Sequence, residues 1–117
     1  MHRPRPDLRP YLGKAVHVFI DRPIGHQHKG MVYPVNYGYI PGLLGGDGEE
    51  QDAYVLGVSC PIKEFDGQVI AIVLRRDDCE DKLVTAPEGS IYTAEEIAGL
   101  LHFQEQYFDH TIIIADL

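Results

Sequence analysis

The run "QVIAIVLR", Gln68 to Arg75, constrains this chain more than any other stretch. From Val69 to Leu74 every residue is apolar, and most are β-branched. The run is far shorter than the roughly 18–20 apolar residues a bilayer span requires. It carries no helical spacing of polar positions. It therefore predicts a strand that is buried on both faces or wrapped into a small barrel. With 117 residues the chain is expected to form one domain with a modest core.

Shorter runs surround it. "KAVHVFI" (Lys14–Ile20), "AYVLGVS" (Ala53–Ser59), "LVTAP" and "TIIIADL" read as strands. "DRPIGHQHKG" reads as a turn or short loop. "MVYPVNYGYIP" is expected to be extended but irregular, because Pro34 and Pro41 deny ladder pairing. "FDGQ" is expected to be a hairpin turn with Asp66-Gly67 at its tip.

One helix is indicated. Thr93 and Glu96 have the spacing of a capping box, and Tyr92 with Ile97 that of a hydrophobic staple. Ile97, Leu100, Leu101, Phe103, Tyr107 and Phe108 then line one side, with His102 at its edge as a structural residue. Gly99 costs this helix about 1 kcal/mol against alanine. Several strands followed by one amphipathic helix predict a mainly β (α+β) fold. The expected form is a small five-stranded Greek-key barrel, OB-like in outline, with the C-terminal helix packed on it. Residues 1–10, basic and proline-rich, are expected to be a flexible arm before a single domain over 11–117. No signal-peptide pattern is present, so the expected location is cytoplasmic. Cys60 and Cys79 lack metal or redox spacing and are expected to be reduced and structural.

Charge narrows the function. The net charge is −8 without a basic stripe, so nucleic acid is not an expected partner, and neither is a membrane. The acids cluster instead. "DGEEQD" holds Asp47, Glu49 and Asp52 within six residues, and "DDCED" holds Asp77, Asp78, Glu80 and Asp81 just before Lys82. Two bare carboxylates about 4 Å apart repel by roughly 1 kcal/mol in water and about 4 kcal/mol at an effective dielectric of 20. Either loop alone is most simply a solvated turn. Both lie at strand ends, where a small barrel can bring them to one rim. Gly45, Gly46 and Gly48 let the first loop turn sharply. Convergent carboxylates call for hard cations, Mg²⁺, Mn²⁺ or Ca²⁺, and Lys82 with nearby tyrosines would hold phosphoryl oxygens. His26 and His28 form an H-x-H pair without an evident third ligand. A solvated or anion-contacting loop is the preferred reading there over zinc.

At this point the residues resemble a known family. "YPVNYGYIP", then "DGEEQD", "DCEDKLV" and "HFQEQY", are similar to soluble family I inorganic pyrophosphatase, from about Asp21 to Tyr107. The resemblance implies an OB-type five-stranded barrel, Mg²⁺ dependence, hydrolysis of pyrophosphate to two phosphates, and a homo-oligomer. It implies a metal set of Asp47, Glu49, Asp52, Asp77, Asp78 and Glu80, with either Asp77 or Asp78 as the earlier aspartate of the second loop. It implies catalytic roles for Glu49, Asp52 and Lys82, and phosphate contacts from Tyr37, Tyr107 and Lys82. Tyr33 matches the first tyrosine of the family motif, and Asp21 stands at a family glutamate position.

The departures define alternatives. Glu49 replaces the usual aspartate, and an added methylene shifts its carboxylate by roughly 1.5 Å, where a displacement of about 1 Å can cost 10²-fold. Phe108 stands where the family often has a lysine. The hairpin between Asp21 and Tyr33 is short and lacks the family's substrate-holding cations. Arg22 and Lys29 are the candidate substitutes. The alternatives are therefore hydrolysis of another phosphoanhydride, such as a nucleotide or phosphometabolite, and a non-catalytic metal- or phosphate-binding module.

Overall fold

The structure, a computed structural model, describes residues 6–115. Its elements are β1 (Ala15–Arg22), β2 (Gln27–His28), β3 (Met31–Val32), β4 (Asn36–Leu44), β5 (Glu50–Val55), β6 (Glu64–Arg75), β7 (Lys82–Ala86), α1 (Ala94–Glu105) and β8 (His110–Ile114).

Strand β6 organises the rest. Its first half pairs with β1, from Ala15↔Gln68 to Phe19↔Glu64. Its second half pairs with β8, from Ala71↔Ile114 to Arg75↔His110. Along its other edge lies β7. The sheet order β1-β4-β5-β7-β6 returns to β1, which closes a five-stranded barrel and leaves β8 as an added strand. All barrel pairings are antiparallel except β5–β7.

The apolar run of β6 is covered on both faces, as its composition requires. Val69 and Ile72 face a barrel interior shared with Val18, Ile40, Ala53, Val55 and Leu83. Ile70, Ala71 and Val73 face a second core, beneath Ile97 and Leu101 of α1. Two neighbours, Ile70 and Ala71, share a face because the β6–β7 register shifts between Val69 and Ala71.

Several expectations are corrected. Asp66-Gly67 is not a hairpin tip; both residues lie inside β6, paired to His17 and Val16. Pro41 lies inside β4, at the place where pairing to β5 breaks register between Ile40 and Leu44. Strand β5 starts at Glu50 and ends at Val55, earlier than "AYVLGVS" suggested. The helix ends at Glu105, so Tyr107 and Phe108 lie beyond it. The capping box is as expected: Thr93 Oγ1 accepts from Glu96 N–H at 3.1 Å, and Glu96 Oε1 accepts from Thr93 N–H at 2.9 Å. Of the expected arm, residues 1–5 lie outside the described residues. The packed body begins by Leu8, which is 2% exposed and joins the barrel core.

Candidate functional site

The "YPVNYGY" segment assembles the site because each residue has a different task. Asn36 is a buried latch: its Oδ1 accepts from Ile24 N–H at 3.1 Å, and its Nδ2 donates to Cys60 O at 3.0 Å. Gly38 permits close strand approach, since a Cβ there would lie 1.8 Å from Phe19 O. Tyr39 packs outside on Phe19, with ring centroids 6.0 Å apart. Tyr33 and Tyr37 turn inward and are buried.

The two acidic loops meet. A Cβ on Gly46 would lie 2.2 Å from Cys79 O, so this glycine allows the β4–β5 loop to lie against the β6–β7 loop. Gln51 Nε2 donates across to Asp81 O at 2.6 Å. Lys82 Nζ then stands 2.5 Å from Asp52 Oδ2 and 3.8 Å from Glu80 Oε1.

These residues open into a cleft of about 570 Å³. It brings together Asp21 and Arg22 from β1, Lys29 from the β2–β3 hairpin, Tyr37, Asp52, Glu80, Lys82 and Tyr107. Of the expected metal set, Asp52 and Glu80 line this cleft. Asp47 lines a shallow depression beside it that also touches Asp52 and Glu80. Glu49 is exposed on the loop outside both, its N–H donating to Asp47 Oδ1 at 3.0 Å. Asp77 Oδ1 instead accepts Asp109 N–H at 2.7 Å, and Asp78 takes Arg75 Nη1 at 3.3 Å and Glu80 N–H at 2.9 Å.

Charge in the cleft differs from charge on the chain. Arg22, Lys29, Arg75 and Lys82 line it with Asp21, Asp52 and Glu80, although the whole protein carries −8. Tyr37 lies between two of the cations, its ring centroid 5.6 Å from Arg22 Cζ and 5.7 Å from Lys82 Nζ. Burial, and then the charge of Asp52, push the Tyr37 phenol well above its ordinary range. It therefore stays protonated and able to donate. Desolvation against the cleft wall, reinforced by Asp52 and opposed by Arg22, raises the Asp21 carboxyl. Arg22 lowers the neighbouring His28, with partial desolvation adding to the effect.

The acidic donors lining this cleft are carboxylate oxygens, the chemistry that suits Mg²⁺ or Mn²⁺. Among the described residues no three His, Cys, Asp or Glu side chains group as a ready metal cage. Mg²⁺ is usually held by one or two carboxylates with substrate phosphate oxygens and waters completing its shell. Asp52 and Glu80, converging on Lys82, are the pair that fits this pattern.

Sequence reasoning missed the cleft's lining groups Met31, Arg75 and Gln104, and placed His28 only in a solvated or anion-contacting loop. Arg75 ends the apolar strand and reads there as a surface residue, yet it is 3% exposed and ion-paired to Glu105 at 2.7 Å. The only signal for it was a charged residue abutting a run buried on both faces.

Fold and lining residues define a small OB-like barrel with a mixed-charge cleft beside its C-terminal helix. No family model matches the chain. Its sequence is 28% identical over 111 residues to an inorganic pyrophosphatase of Xylella fastidiosa, an alignment covering 79% of this chain and 59% of that protein. It is 32% identical over 95 residues to an inorganic pyrophosphatase of Xanthomonas campestris, covering 75% and 47%. The chain thus spans between about half and three-fifths of the length of the curated relatives it matches. Among solved structures, the inorganic pyrophosphatase of Ehrlichia chaffeensis superposes with a TM-score of 0.71 at 16% identity, over 89% of this chain and 88% of that one. That of Thermus thermophilus gives 0.66 at 18% identity, over 97% and 88%. At these identities the structural likeness is one of fold. In sequence the chain is thus similar to part of these inorganic pyrophosphatases, and in fold to the solved ones.

Proposed function

We propose that this protein hydrolyses inorganic pyrophosphate to two phosphates with the help of divalent cations. The observation that carries the reading is Lys82, 3% exposed, with Asp52 and Glu80 beside it under the ring of Tyr37. A bound polyphosphate would receive hydrogen bonds from Lys82, Arg22 and Lys29, and from the neutral phenols of Tyr37 and Tyr107. Asp52 and Glu80 would hold Mg²⁺ or Mn²⁺, which lowers the pKa of a bound water and offsets the charge of the phosphates. Asp52, which lines the cleft beside Lys82, would take a proton from the attacking water. Glu49, Asp47, Asp77 and Asp78 belong to the proposal as ligands or helpers that approach once the two acidic loops close on substrate. Self-association, implied by the family resemblance, and the cytoplasmic setting expected from the sequence complete it. Among the described residues no helix is long and apolar enough to cross a membrane.

The test is phosphate release from pyrophosphate by the wild type and by Asp52→Asn, with Mg²⁺ and after chelation. Turnover that needs the cation and falls at least tenfold in the variant supports the reading. Equal turnover in both proteins removes Asp52 from the site. A second reading, hydrolysis of an organic phosphoanhydride, is favoured by the cleft's apolar flank of Met31 and Phe108 and by Tyr107, which is 66% exposed. Release of phosphate from a nucleoside diphosphate but not from pyrophosphate would select it.

A further inference from the structure

A buried chain of hydrogen bonds crosses the wall between the cleft and α1. Arg22 Nη1 donates to Tyr33 Oη at 2.7 Å. Tyr33 Oη donates to Gln104 Oε1 at 2.6 Å. Gln104 Nε2 donates to Tyr54 Oη at 2.6 Å. Tyr54 Oη donates to Glu105 Oε2 at 2.6 Å. Glu105 also receives Arg75 Nε at 3.0 Å and Nη2 at 2.7 Å. Tyr33 and Tyr54 are fully buried, Glu105 is 1% exposed and Gln104 7%.

The direction of this chain is forced. A guanidinium only donates, and an ionised carboxylate only accepts. Each phenol has one proton. The protons must therefore point from Arg22 toward Glu105 at every link. The middle position needs one acceptor facing Tyr33 and one donor facing Tyr54. A glutamine supplies both on one rigid amide. A glutamate or a leucine at the same place supplies no donor.

We infer that Gln104 is a positioning residue that holds the Arg22 guanidinium in the cleft through Tyr33. The inference rests on the proposed phosphate-binding role of the cleft. Arg22 has a flexible stem, and binding an anion with a free arginine would cost its rotamer freedom. The relay spends one donor of the fork and fixes the rest in advance. The gain is assigned to ground-state binding: although Gln104 lines the cleft, its amide is bonded to Tyr33 and Tyr54, so it acts on a bound anion by way of Tyr33 and Arg22.

The experiment is a kinetic cycle on pyrophosphate with Gln104→Leu, Arg22→Ala and the double variant. Immobilising a rotamer-rich side chain is worth about 0.5–1.5 kcal/mol, so Gln104→Leu should raise KM by about two- to tenfold while kcat stays within about twofold. The double variant should show no further rise over Arg22→Ala. Additive KM effects, or a fall in kcat at constant KM, overturn the inference. Tyr33→Phe cuts the same link without touching Gln104 and should reproduce the KM rise; it decides the matter if Gln104→Leu does not fold. NMR of the Arg22 side chain gives a readout without turnover. Its Nη signals should be distinct in the wild type and averaged in Gln104→Leu and Tyr33→Phe. Identical signals in all three overturn the inference even if pyrophosphate proves not to be a substrate. Distinct-then-averaged signals with no pyrophosphate hydrolysis would uphold the relay and sink the proposed reaction instead.

Discussion

The two sides of the cleft handle charge in opposite ways. On the α1 side, Arg22, Tyr33, Gln104, Tyr54, Glu105 and Arg75 form a continuous run of complementary donors and acceptors. Arg75 also stacks on Phe108, its Cζ 3.7 Å from the ring centroid. On the loop side, Asp52 and Glu80 share one ammonium, and Asp47 and Glu49 are exposed nearby. Apart from the donors of the Arg22 fork that the relay leaves to the cleft, the α1 side is satisfied within the protein, so the rest of it belongs to the stability of the fold. The loop side holds more negative charge than Lys82 balances, and the proposed reaction would supply its remaining partners as cations. The same types of side chain thus serve structure on one wall and ligand chemistry on the other, according to whether their partners fold with them.

The largest expected effect tests the satisfied wall. Glu105→Ala takes from buried Arg75 the carboxylate that receives both Nε and Nη2, with Asp78 remaining at 3.3 Å, and should lower unfolding stability by roughly 3–5 kcal/mol, read from urea denaturation. A loss under about 1 kcal/mol would mean that this wall is not structural and would break the contrast. Next comes the loop side. Asp52→Asn should lower pyrophosphate hydrolysis on the order of 10²-fold, equivalent to about 2.7 kcal/mol, while its urea midpoint falls less than that of Glu105→Ala. Equal losses of stability in the two variants would erase the distinction between the walls.

The third effect lies beneath both walls. Gly38→Ala drives a methyl into the Phe19 carbonyl and should cost about 1–3 kcal/mol. Crystallography or thermal unfolding of the variant reads it, and an unchanged melting temperature would contradict the close strand approach.

The smallest effect lies away from the cleft. His17 sits between Asp66 Oδ1 at 2.7 Å and Glu64 Oε1 at 2.9 Å, and these bonds, Asp66 first, raise its pKa above 6.5. The bonded imidazolium therefore stabilises the fold below pH 6.5, and that contribution disappears as pH rises through the higher folded value. The wild-type melting temperature should drift downward across that window relative to His17→Gln. Parallel profiles would show that the exposed pair does not couple to folding.

Local features were legible in the sequence because their causes are local. The Thr93–Glu96 box needs only residues three apart. The apolar run of β6 announces burial on both faces by composition alone. The meeting of the acidic loops was legible in part: the charges and the three glycines are visible, while nothing sets Gly46, which lies against Cys79, apart from Gly45 and Gly48. Asp66-Gly67 misled for the same reason. That dipeptide favours a turn in isolation, yet β1 pairs across it, and Gly67 lies where a Cβ would meet the Phe65 ring at 2.2 Å and Ala86 O at 2.7 Å. Long-range pairing overrode the turn preference. Tyr107 and Phe108 kept the helical spacing, but α1 ends at Glu105.

By itself the sequence determined which segments must be buried, where the helix begins, and that acidic charge gathers in two loops, because hydrophobicity, capping and charge clustering act through composition and short spacing. Only the tertiary structure decided that Lys82 would serve Asp52, that Asp77 would turn to the Asp109 amide, and that Gln104 would join Arg22 to Glu105. Those partners are 30 or more residues apart in most cases, and hydrogen bonds of that reach exist only once barrel closure has fixed where each side chain points.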